Sequence, residues 1–462
     1  MSNFWDASVW GGMNVIASLL LALLAASLLK KGIKILKESL IPTSVLAGGV
    51  LLLVSSVYSA VTGTDMFQTA FFGGDGIAFL EVITYHALAL GFIASTFESS
   101  DGKISKQRKT EIVNTGITTV ATYLVQAMVG LGISLIAARM IGFFPAAGII
   151  LPFGYGQGTG QAMNYGNIYE TQYGFIGGKS FGLTIAALGF VSASIGGVLY
   201  LTWLKRKNHL VKQDAGTMKT AIEKTLRQDE IPLFENMDTL SVQFAFIIGS
   251  YMCTYVIIYF LGELVPGLKS VIYGFNFLLG VLVTTGVKKM LNSLESKKVL
   301  KKHYVNDFMM VRLRNVFYDI MVVAGIAAIR LSALGDYIVV LLLICIAGAV
   351  GTFAYNRIVA KTLFKDYAEQ QFVAMYGMLT GTASTGVVLL REIDVDFSTP
   401  VSDNIVYQNF PAIIVGFPLM IIAATAPEAP GQTFLIVVAY FTVLNIILFR
   451  SKIMGLFKKK AK

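Results

Sequence analysis

Charged side chains are scarce in this chain of 462 residues: only 14% are Asp, Glu, Lys or Arg, and 55% are hydrophobic. A soluble protein usually has about a quarter of its residues charged. The composition therefore excludes a soluble multidomain protein and predicts one that lies in a lipid bilayer. The net charge of +10 does not then indicate a nucleic-acid partner, because Lys and Arg accumulate in the cytoplasmic loops of membrane proteins.

Histidine and cysteine are also rare, with three and two residues. Cys253 and Cys345 lie far apart in separate apolar segments, so neither a disulfide framework nor a thiolate metal site is expected. Candidate nucleophiles and metal ligands are few, and no apolar segment carries two acidic residues at helical spacing, which disfavours an intramembrane enzyme. We expect a protein that is not an enzyme and that has no organic cofactor.

Long apolar segments dominate what remains. Eleven of them are suited to cross a membrane as helices, which takes about 20 residues each. Five lie between Met13 and Leu204, five lie between Leu240 and Ala424, and the last is Phe434 to Phe449. The pattern predicts an all-α polytopic membrane protein with a polar segment, residues 205–239, between two sets of helices.

Two apolar but glycine-rich segments, residues 143–165 and 372–390, lie between the fourth and fifth helix of each set. The first contains "LPFGYGQGTGQAMNYG", whose glycine spacing does not fit the dinucleotide fingerprint G-x-G-x-x-G. The second contains "MLTGTASTGVVLL". If each segment enters the membrane and returns to its own side, 33 of the 37 Lys and Arg residues fall on the cytoplasmic side, as the positive-inside rule requires.

This charge distribution predicts two inverted repeats of five transmembrane helices, residues 1–204 and 240–425, each with a re-entrant segment. Residues 205–239 are then a cytoplasmic linker, and residues 426–462 form an additional transmembrane helix and a basic tail. The N-terminus lies outside and the C-terminus lies in the cytoplasm. For the glycine pairs of Ala47–Val50 and Ser194–Val198 we favour close helix packing over a binding role.

Broken helices at matching places in two inverted halves indicate a substrate site at the membrane midplane of a secondary transporter. Helix N-termini at the breaks can bind an anionic carboxylate, while freed carbonyls and hydroxyls can ligate Na⁺. The candidate substrate-binding residues are Gly156, Gln157, Gly158, Thr159, Gly160, Gln161, Gly381, Thr382, Ser384 and Arg391. The candidate Na⁺ ligands are Thr159, Thr380, Thr382, Ser384, Thr385 and Asp319.

Two of these candidates have a structural alternative. Asp319 lies about halfway along a predicted span, where a Na⁺ ligand and a structural pair with a buried donor are equally good interpretations. For Arg391, a salt bridge to Glu392 or Asp394 is slightly favoured over a bidentate contact with a substrate carboxylate.

Five motifs, in order over residues 13–425, resemble the bacterial sodium/glutamate symporter family. They are "IPTSVLAGG" from Ile41, "GQGTGQA" from Gly156, "QYGF" followed by "ALGFVSASIGG" from Gln172, "NVFYDIMVVAGIAAIRL" from Asn315 and "YGMLTGTASTGVVLLREID" from Tyr376. The resemblance implies two inverted five-helix halves with re-entrant segments, Na⁺-coupled glutamate uptake, a bacterial plasma (inner) membrane location and a homodimer. Gln157 stands where the best-known members carry histidine, and Gln161 replaces a small residue.

The expected function is therefore symport of glutamate, or another small anionic amino acid, with Na⁺ as the coupling ion. A transporter of the same architecture for di- or tricarboxylates, coupled to Na⁺ or H⁺, is the alternative. A channel is disfavoured, because paired inverted breaks suit alternating access better than a continuous pore.

Overall fold

A computed structural model describes residues 3–98, 106–206, 238–266, 269–300, 304–335, 337–394, 398–450 and 452 of the chain. Within these ranges the chain is helical and has no β-strand, which confirms the all-α prediction. The predicted linker, residues 205–239, and the basic tail after Lys452 lie almost entirely outside the described residues.

Eighteen helices, named here in chain order, make up most of the described chain. Those of the first half are α1 (Ala7–Gly32), α2 (Lys34–Glu38), α3 (Thr43–Thr62), α4 (Gly76–Phe97), α5 (Lys106–Ile141), α6 (Leu151–Gln157), α7 (Thr159–Tyr173) and α8 (Gly178–Arg206). Those of the second half are α9 (Thr239–Leu264), α10 (Lys269–Gly274), α11 (Asn276–Ser296), α12 (Asp307–Ala327), α13 (Ile338–Leu363), α14 (Ala368–Thr380), α15 (Ala383–Arg391), α16 (Val401–Tyr407), α17 (Asn409–Thr425) and α18 (Pro430–Leu448).

Ten helices in the described ranges are long and apolar enough to cross a membrane, so the protein is a multi-pass membrane protein. The other predicted span, Phe308–Ile329, is α12. With 21 residues it has the length of a span, but it carries Asp307, Arg312, Arg314 and Asp319 and is not among the ten. Its apolar end is buried, since Met321 and Val323 are 2% and 0% exposed. Neighbouring protein therefore covers that end of α12.

Helix α1 illustrates how an outer helix divides its residues between lipid and protein. Leu21, Leu24 and Leu28 are exposed, whereas Ala22 and Ala26 are buried. Leucine is as apolar as lipid tails, so its exposure is favourable in a bilayer, and small residues let helix backbones approach closely. The same helix would be poorly suited to water.

The chain forms two compact units, each of which draws on both halves of the sequence. The first comprises Met1–Glu81, Lys103–Leu210 and Val322–Lys462. The second comprises Val82–Gly102 and Val211–Met321. Both glycine-rich segments belong to the first unit.

The second unit contains the lone histidine of a membrane span. His86 Nδ1 lies 2.7 Å from the Tyr251 hydroxyl, and Asn276 Nδ2 donates to the same hydroxyl over 3.1 Å. In the same unit, Arg314 pairs with Glu98 over 2.7 Å at the end of α4. His86 is thus a hydrogen-bonded side chain, which is the more common role of a single histidine in a span.

The two glycine pairs of the first unit mostly serve close packing, as expected. A Cβ atom on Gly48 would lie 2.7 Å from Cβ of Ile326, and one on Gly197 would lie 2.6 Å from the Leu389 side chain. Gly196 lies directly against the Tyr376 hydroxyl. Gly49 differs, because nothing lies within 4 Å of the position a Cβ atom would take.

We expect Gly48→Ala to lower the melting temperature of the purified protein and Gly49→Ala to raise it slightly. The new methyl group at position 48 meets the branched Cβ of Ile326, and overpacking of this kind costs about 1–3 kcal/mol. At Gly49 there is room, and alanine favours a helix over glycine by about 0.5–1 kcal/mol. Thermal unfolding in one detergent measures both. Equal destabilisation by the two variants would contradict a packing role specific to Gly48.

Candidate functional site

The first glycine-rich segment contains a broken helix. Helix α6 ends at Gln157 and α7 begins at Thr159, with Gly158 between them at φ 82° and ψ −169°. Only glycine adopts this conformation without strain. The prediction of a glycine-dependent break at this position is therefore confirmed.

The helices on either side of Gly158 fold back on each other as a hairpin, here called the first hairpin (residues 147–173). Gly154 packs against Ile185 in α8, whereas Gly166, further along α7, packs against Gly178 at the beginning of α8. The chain therefore advances along α8 to the break and then returns. The tip of the first hairpin lies at Gly158.

The second glycine-rich segment forms a second hairpin (residues 368–391). Helix α14 ends at Thr380 and α15 begins at Ala383, with Gly381 and Thr382 between them. The Thr382 hydroxyl caps α15 by accepting a hydrogen bond from the Thr385 amide over 3.4 Å. Gly386 lies directly against the Ala374 carbonyl, so α14 and α15 are in close contact.

The base of the second hairpin is anchored by charge and by aromatic rings. The Arg357 guanidinium donates to both Glu369 carboxylate oxygens over 2.7 Å, and the Tyr200 hydroxyl donates to the same carboxylate. Burial alone would raise the pKa of the Glu369 carboxyl, but these hydrogen bonds outweigh burial and hold it below its usual range. The Tyr200 and Phe372 rings pack edge to face, 4.6 Å apart. The anchor joins α14 to α8 and α13.

The tips of the two hairpins meet at Gly189, near the middle of the 29-residue helix α8. A Cβ atom at Gly189 would lie 2.5 Å from the Thr380 carbonyl oxygen of the second hairpin. It would also lie 2.9 Å from the Tyr155 ring of the first hairpin. A residue larger than glycine does not fit here unless one of the two tips moves.

The structure places the predicted residues of the first hairpin around its tip. Gly156 packs on the Tyr123 ring, and its carbonyl accepts a hydrogen bond from the Tyr123 hydroxyl over 3.1 Å. Gln157 is half-buried, and Gly160 is buried in the first turn of α7. Thr159 is fully buried and would lie 2.6 Å from a Cβ atom at Gly325. The N-terminus of α7 has no side-chain cap.

Gln161 is the predicted residue with the clearest sign of a binding role. Its side chain is 0% exposed, and its Oε1 accepts from Asn164 Nδ2 over 3.3 Å. Its Nε2 has no hydrogen-bond partner among the described residues. A buried donor without a partner costs about 1–3 kcal/mol. Because it lies in the first turn of an uncapped helix, where the dipole is positive, the group is suited to an anionic acceptor.

The second break brings Gly381, Thr382 and Thr385 together, directly after Thr380. The Thr380 hydroxyl donates to the Tyr376 carbonyl over 2.7 Å, and the hydroxyls of Thr382 and Thr385 lie 3.3 Å apart. Ser384 is in the first turn of α15, and its side chain lies outside the described part of the chain. These hydroxyl oxygens keep lone pairs for a cation.

Two predicted site residues, Arg391 and Asp319, are exposed. Arg391 is exposed at the far end of α15, about 12 Å along the helix axis from Ala383. Asp319 is exposed on α12 and belongs to the second compact unit, whereas both breaks belong to the first. Their roles in substrate and Na⁺ binding stay predictions.

A row of buried polar residues on α5 was not predicted. Thr115, Thr119, Thr122 and Gln126 follow a helical spacing of three and four, and all are at most 2% exposed. Gln126 Nε2 donates to Thr352 Oγ1 and to the Leu379 carbonyl, each over 2.8 Å. The recurrence of polar residues at this spacing within an apolar segment was the available signal.

We expect Gly158→Asn to lower the melting temperature strongly and Gly174→Asn to leave it nearly unchanged. Both glycines have positive φ, but Gly174, at φ 70° and ψ 22°, adopts the left-handed conformation that asparagine tolerates. At Gly158 the backbone is reserved for glycine, and forcing another residue there costs about 1–3 kcal/mol. Thermal unfolding in detergent tests the pair. A wild-type melting temperature for Gly158→Asn would show that the break does not depend on glycine.

Comparison with protein families agrees with this geometry. The family model described as sodium/glutamate symporter matches residues 12–399, from within α1 to just before α16. Helices α16, α17 and α18 lie beyond the match. No curated protein matches the chain. Because the family model covers most of the 462 residues and both hairpins, the chain belongs to the sodium/glutamate symporter family.

Proposed function

We propose that the protein imports glutamate together with Na⁺ by alternating access. The observation that carries this proposal is the meeting of two glycine-broken hairpins at Gly189, in a chain of the sodium/glutamate symporter family. Non-helical backbone at membrane depth is tolerated where it lines a protein cavity, and paired breaks are characteristic of midplane transport sites.

We further propose that both hairpins are re-entrant and that they enter from opposite sides. The first hairpin packs along the beginning of α8, from Gly178 to Gly189, whereas the second packs along its end, at Gly196, Gly197 and Tyr200. Since α8 is long enough to span the membrane, the two tips approach its middle from opposite ends. This arrangement supports inverted repeats at residues 1–204 and 240–425, with a linker at 205–239 and an added helix and tail at 426–462.

The orientation we propose has the N-terminus outside and the C-terminus in the cytoplasm of a bacterial inner membrane. It rests on the distribution of 33 of 37 basic residues to one side. We also infer a homodimer, on the family resemblance alone. The mass of the detergent-solubilised protein measures the oligomeric state.

The substrate carboxylate is proposed to bind between the two tips, at the N-termini of α7 and α15. Residues 151–166 and 376–390 contain no charged side chain, so backbone amides, hydroxyls and Gln161 Nε2 supply the donors. Charged residues in the membrane are costly, and a helix N-terminus provides about half a positive charge without them. Na⁺ is proposed to bind near carbonyls and hydroxyls freed by the same breaks.

We expect Na⁺-driven glutamate uptake into proteoliposomes to accelerate when an inside-negative K⁺-diffusion potential is imposed. One Na⁺ per glutamate anion is electroneutral and draws on the Na⁺ gradient alone, about 1.4 kcal/mol per tenfold difference. A second Na⁺ makes entry electrogenic and adds about 2.3 kcal/mol per 100 mV. Two breaks with hydroxyl groups offer places for at least two ions.

The control for this measurement is the same ionophore without a K⁺ gradient. Uptake that ignores the potential would exclude two Na⁺ per glutamate. Uptake that ignores Na⁺ would reject Na⁺ coupling. If labelled citrate or malate shows counterflow and glutamate does not, the proposed substrate is a di- or tricarboxylate instead of glutamate.

We expect Gln161→Leu to raise the KM for glutamate by roughly tenfold or more, because a hydrogen bond to a charged group contributes about 1.5–3 kcal/mol. Leucine has a similar volume and removes the unpaired donor. Asn167→Leu, a half-buried amide further along the same helix, serves as the matched control and should keep the wild-type KM. A KM for Gln161→Leu within twofold of wild type would show that this amide does not contact the substrate.

A further inference from the structure

Two buried side-chain oxygens on the helices α5 and α13 have no hydrogen-bond donor among the described residues. They are Oε1 of Gln126 on α5 and Oδ1 of Asn356 on α13, on side chains that are 0% and 1% exposed. Neither oxygen has a partner within the described part of the chain. Both residues belong to the first compact unit.

The amide orientations follow from their partners. Gln126 Nε2 donates to the Leu379 carbonyl over 2.8 Å, and Asn356 Nδ2 donates to the Thr352 carbonyl over 2.9 Å. A backbone carbonyl can only accept, so turning either amide around would place two oxygens against each other. The unpaired atoms are therefore oxygens, and they call for a donor or a cation.

Both amides bind Thr352, one through its hydroxyl and one through its carbonyl. Gln126 Nε2 donates to its hydroxyl over 2.8 Å, and Asn356 Nδ2 donates to its carbonyl. Asn356 Nδ2 also lies 3.3 Å from the Thr122 hydroxyl, one turn before Gln126 on α5. Oxygen atoms from two helices thus gather where α5 and α13 approach Leu379.

Leu379 is the last residue but one of α14, directly before the break. The break interrupts the helical hydrogen-bond ladder, and a helix C-terminus carries about half a negative charge on its last carbonyls. The Gln126 amide, which carries one of the unpaired oxygens, therefore lies at a negative helix end. Gln161 shows the opposite pattern, since its unpaired group is a donor and it lies at a positive helix end.

We propose that Gln126, Thr352, Asn356 and the C-terminal carbonyls of α14 form a Na⁺ site. This inference rests on the proposed function and assigns its coupling ion to three side chains outside both glycine-rich segments, together with backbone carbonyls of the second segment. The oxygens are hard ligands, as Na⁺ requires, and the side chains named are neutral, which suits a monovalent ion better than Ca²⁺ with its carboxylate ligands.

The position of this site explains how the ion acts on the substrate. The Thr380 carbonyl follows Leu379 and touches Gly189, where the first hairpin also makes contact through Tyr155. An ion held at the end of α14 fixes the tip of the second hairpin against the first. Binding of Na⁺ and of the anion therefore favour each other, and this coupling is reciprocal.

The test uses Na⁺-dependent thermal stability of the purified full-length protein, without organic substrate, at constant ionic strength with choline chloride. In wild type, Na⁺ should raise the melting temperature with a measurable half-maximal concentration. Asn356→Leu keeps the volume and removes Oδ1, and it should raise that concentration roughly tenfold or more. Ser134→Ala is the matched control, because Ser134 is a buried, unpaired hydroxyl on α5 that lies beside Gly148 instead of α14, and it should leave the concentration unchanged.

Gln126→Lys is the second variant and adds an independent readout. The lysine ammonium can donate to Thr352 and to the Leu379 carbonyl while it places a tethered charge where the ion would lie. We expect Na⁺ to raise its melting temperature and its glutamate affinity at least several-fold less than in wild type, because one of the proposed Na⁺ sites is then filled by the ammonium group. If Asn356→Leu does not yield folded protein, Gln126→Lys decides alone.

The outcomes separate this site from the proposed transport function. If folded Asn356→Leu and Gln126→Lys keep the Na⁺-dependent melting temperature of wild type, the proposed Na⁺ site is wrong. A water molecule would then be the partner of the two unpaired amide oxygens. If the melting temperature of wild type does not change with Na⁺ concentration, both the proposed Na⁺ site and Na⁺ coupling are wrong. Na⁺ stabilisation that the variants weaken, combined with failure of glutamate counterflow, would support the site and reject glutamate as substrate.

Discussion

The contact between the Thr380 carbonyl and the backbone of Gly189 is the constraint on which the rest of the site depends. It places the end of α14 at the middle of α8, only 2.5 Å from where a side chain would begin. Tyr155 of the first hairpin contacts the same glycine. Because Gly189 has no side chain, both breaks can approach the same point on α8. The helix ends at the breaks then face a shared region, and their dipoles supply the charge that the uncharged tips lack.

Two of the buried groups without partners match the sign of a helix end beside them. A donor, Gln161 Nε2, lies at the N-terminus of α7, and an acceptor lies on the Gln126 amide, which is bonded to the C-terminus of α14. A third unpaired group, Asn356 Oδ1, lies on an amide that shares Thr352 with Gln126. Buried polar groups are normally paired, because leaving them unpaired is costly. An anion and a cation bound in these two places would satisfy all three groups. The proposed substrate and the proposed coupling ion would then occupy separate parts of the same unit.

The glycine-rich segments allowed the breaks to be predicted from the sequence, and the basic residues indicate the sides of the membrane. The structure shows why glycine is needed at Gly158, whose backbone conformation is reserved for glycine. The sequence did not reveal Gln126 or Asn356, since a single amide in an apolar segment is equally typical of a bond between two helices. Only the tertiary structure shows that their nitrogens are bonded and their oxygens are not. Likewise, the distance of Arg391 from the second break depends on the length of α15.

Neither half of the sequence contains the site by itself. Helices α5 and α8 come from the first half and provide Gln126 and Gly189, whereas α13 and α14 come from the second half and provide Asn356 and Leu379. The first compact unit accordingly combines segments of both halves, and its boundaries do not follow chain order. Each break lies against a helix from the other half of the sequence, the first at Gly325 and the second at Gly189. A movement of one hairpin tip therefore changes the contacts at Gly189, where the other tip also packs.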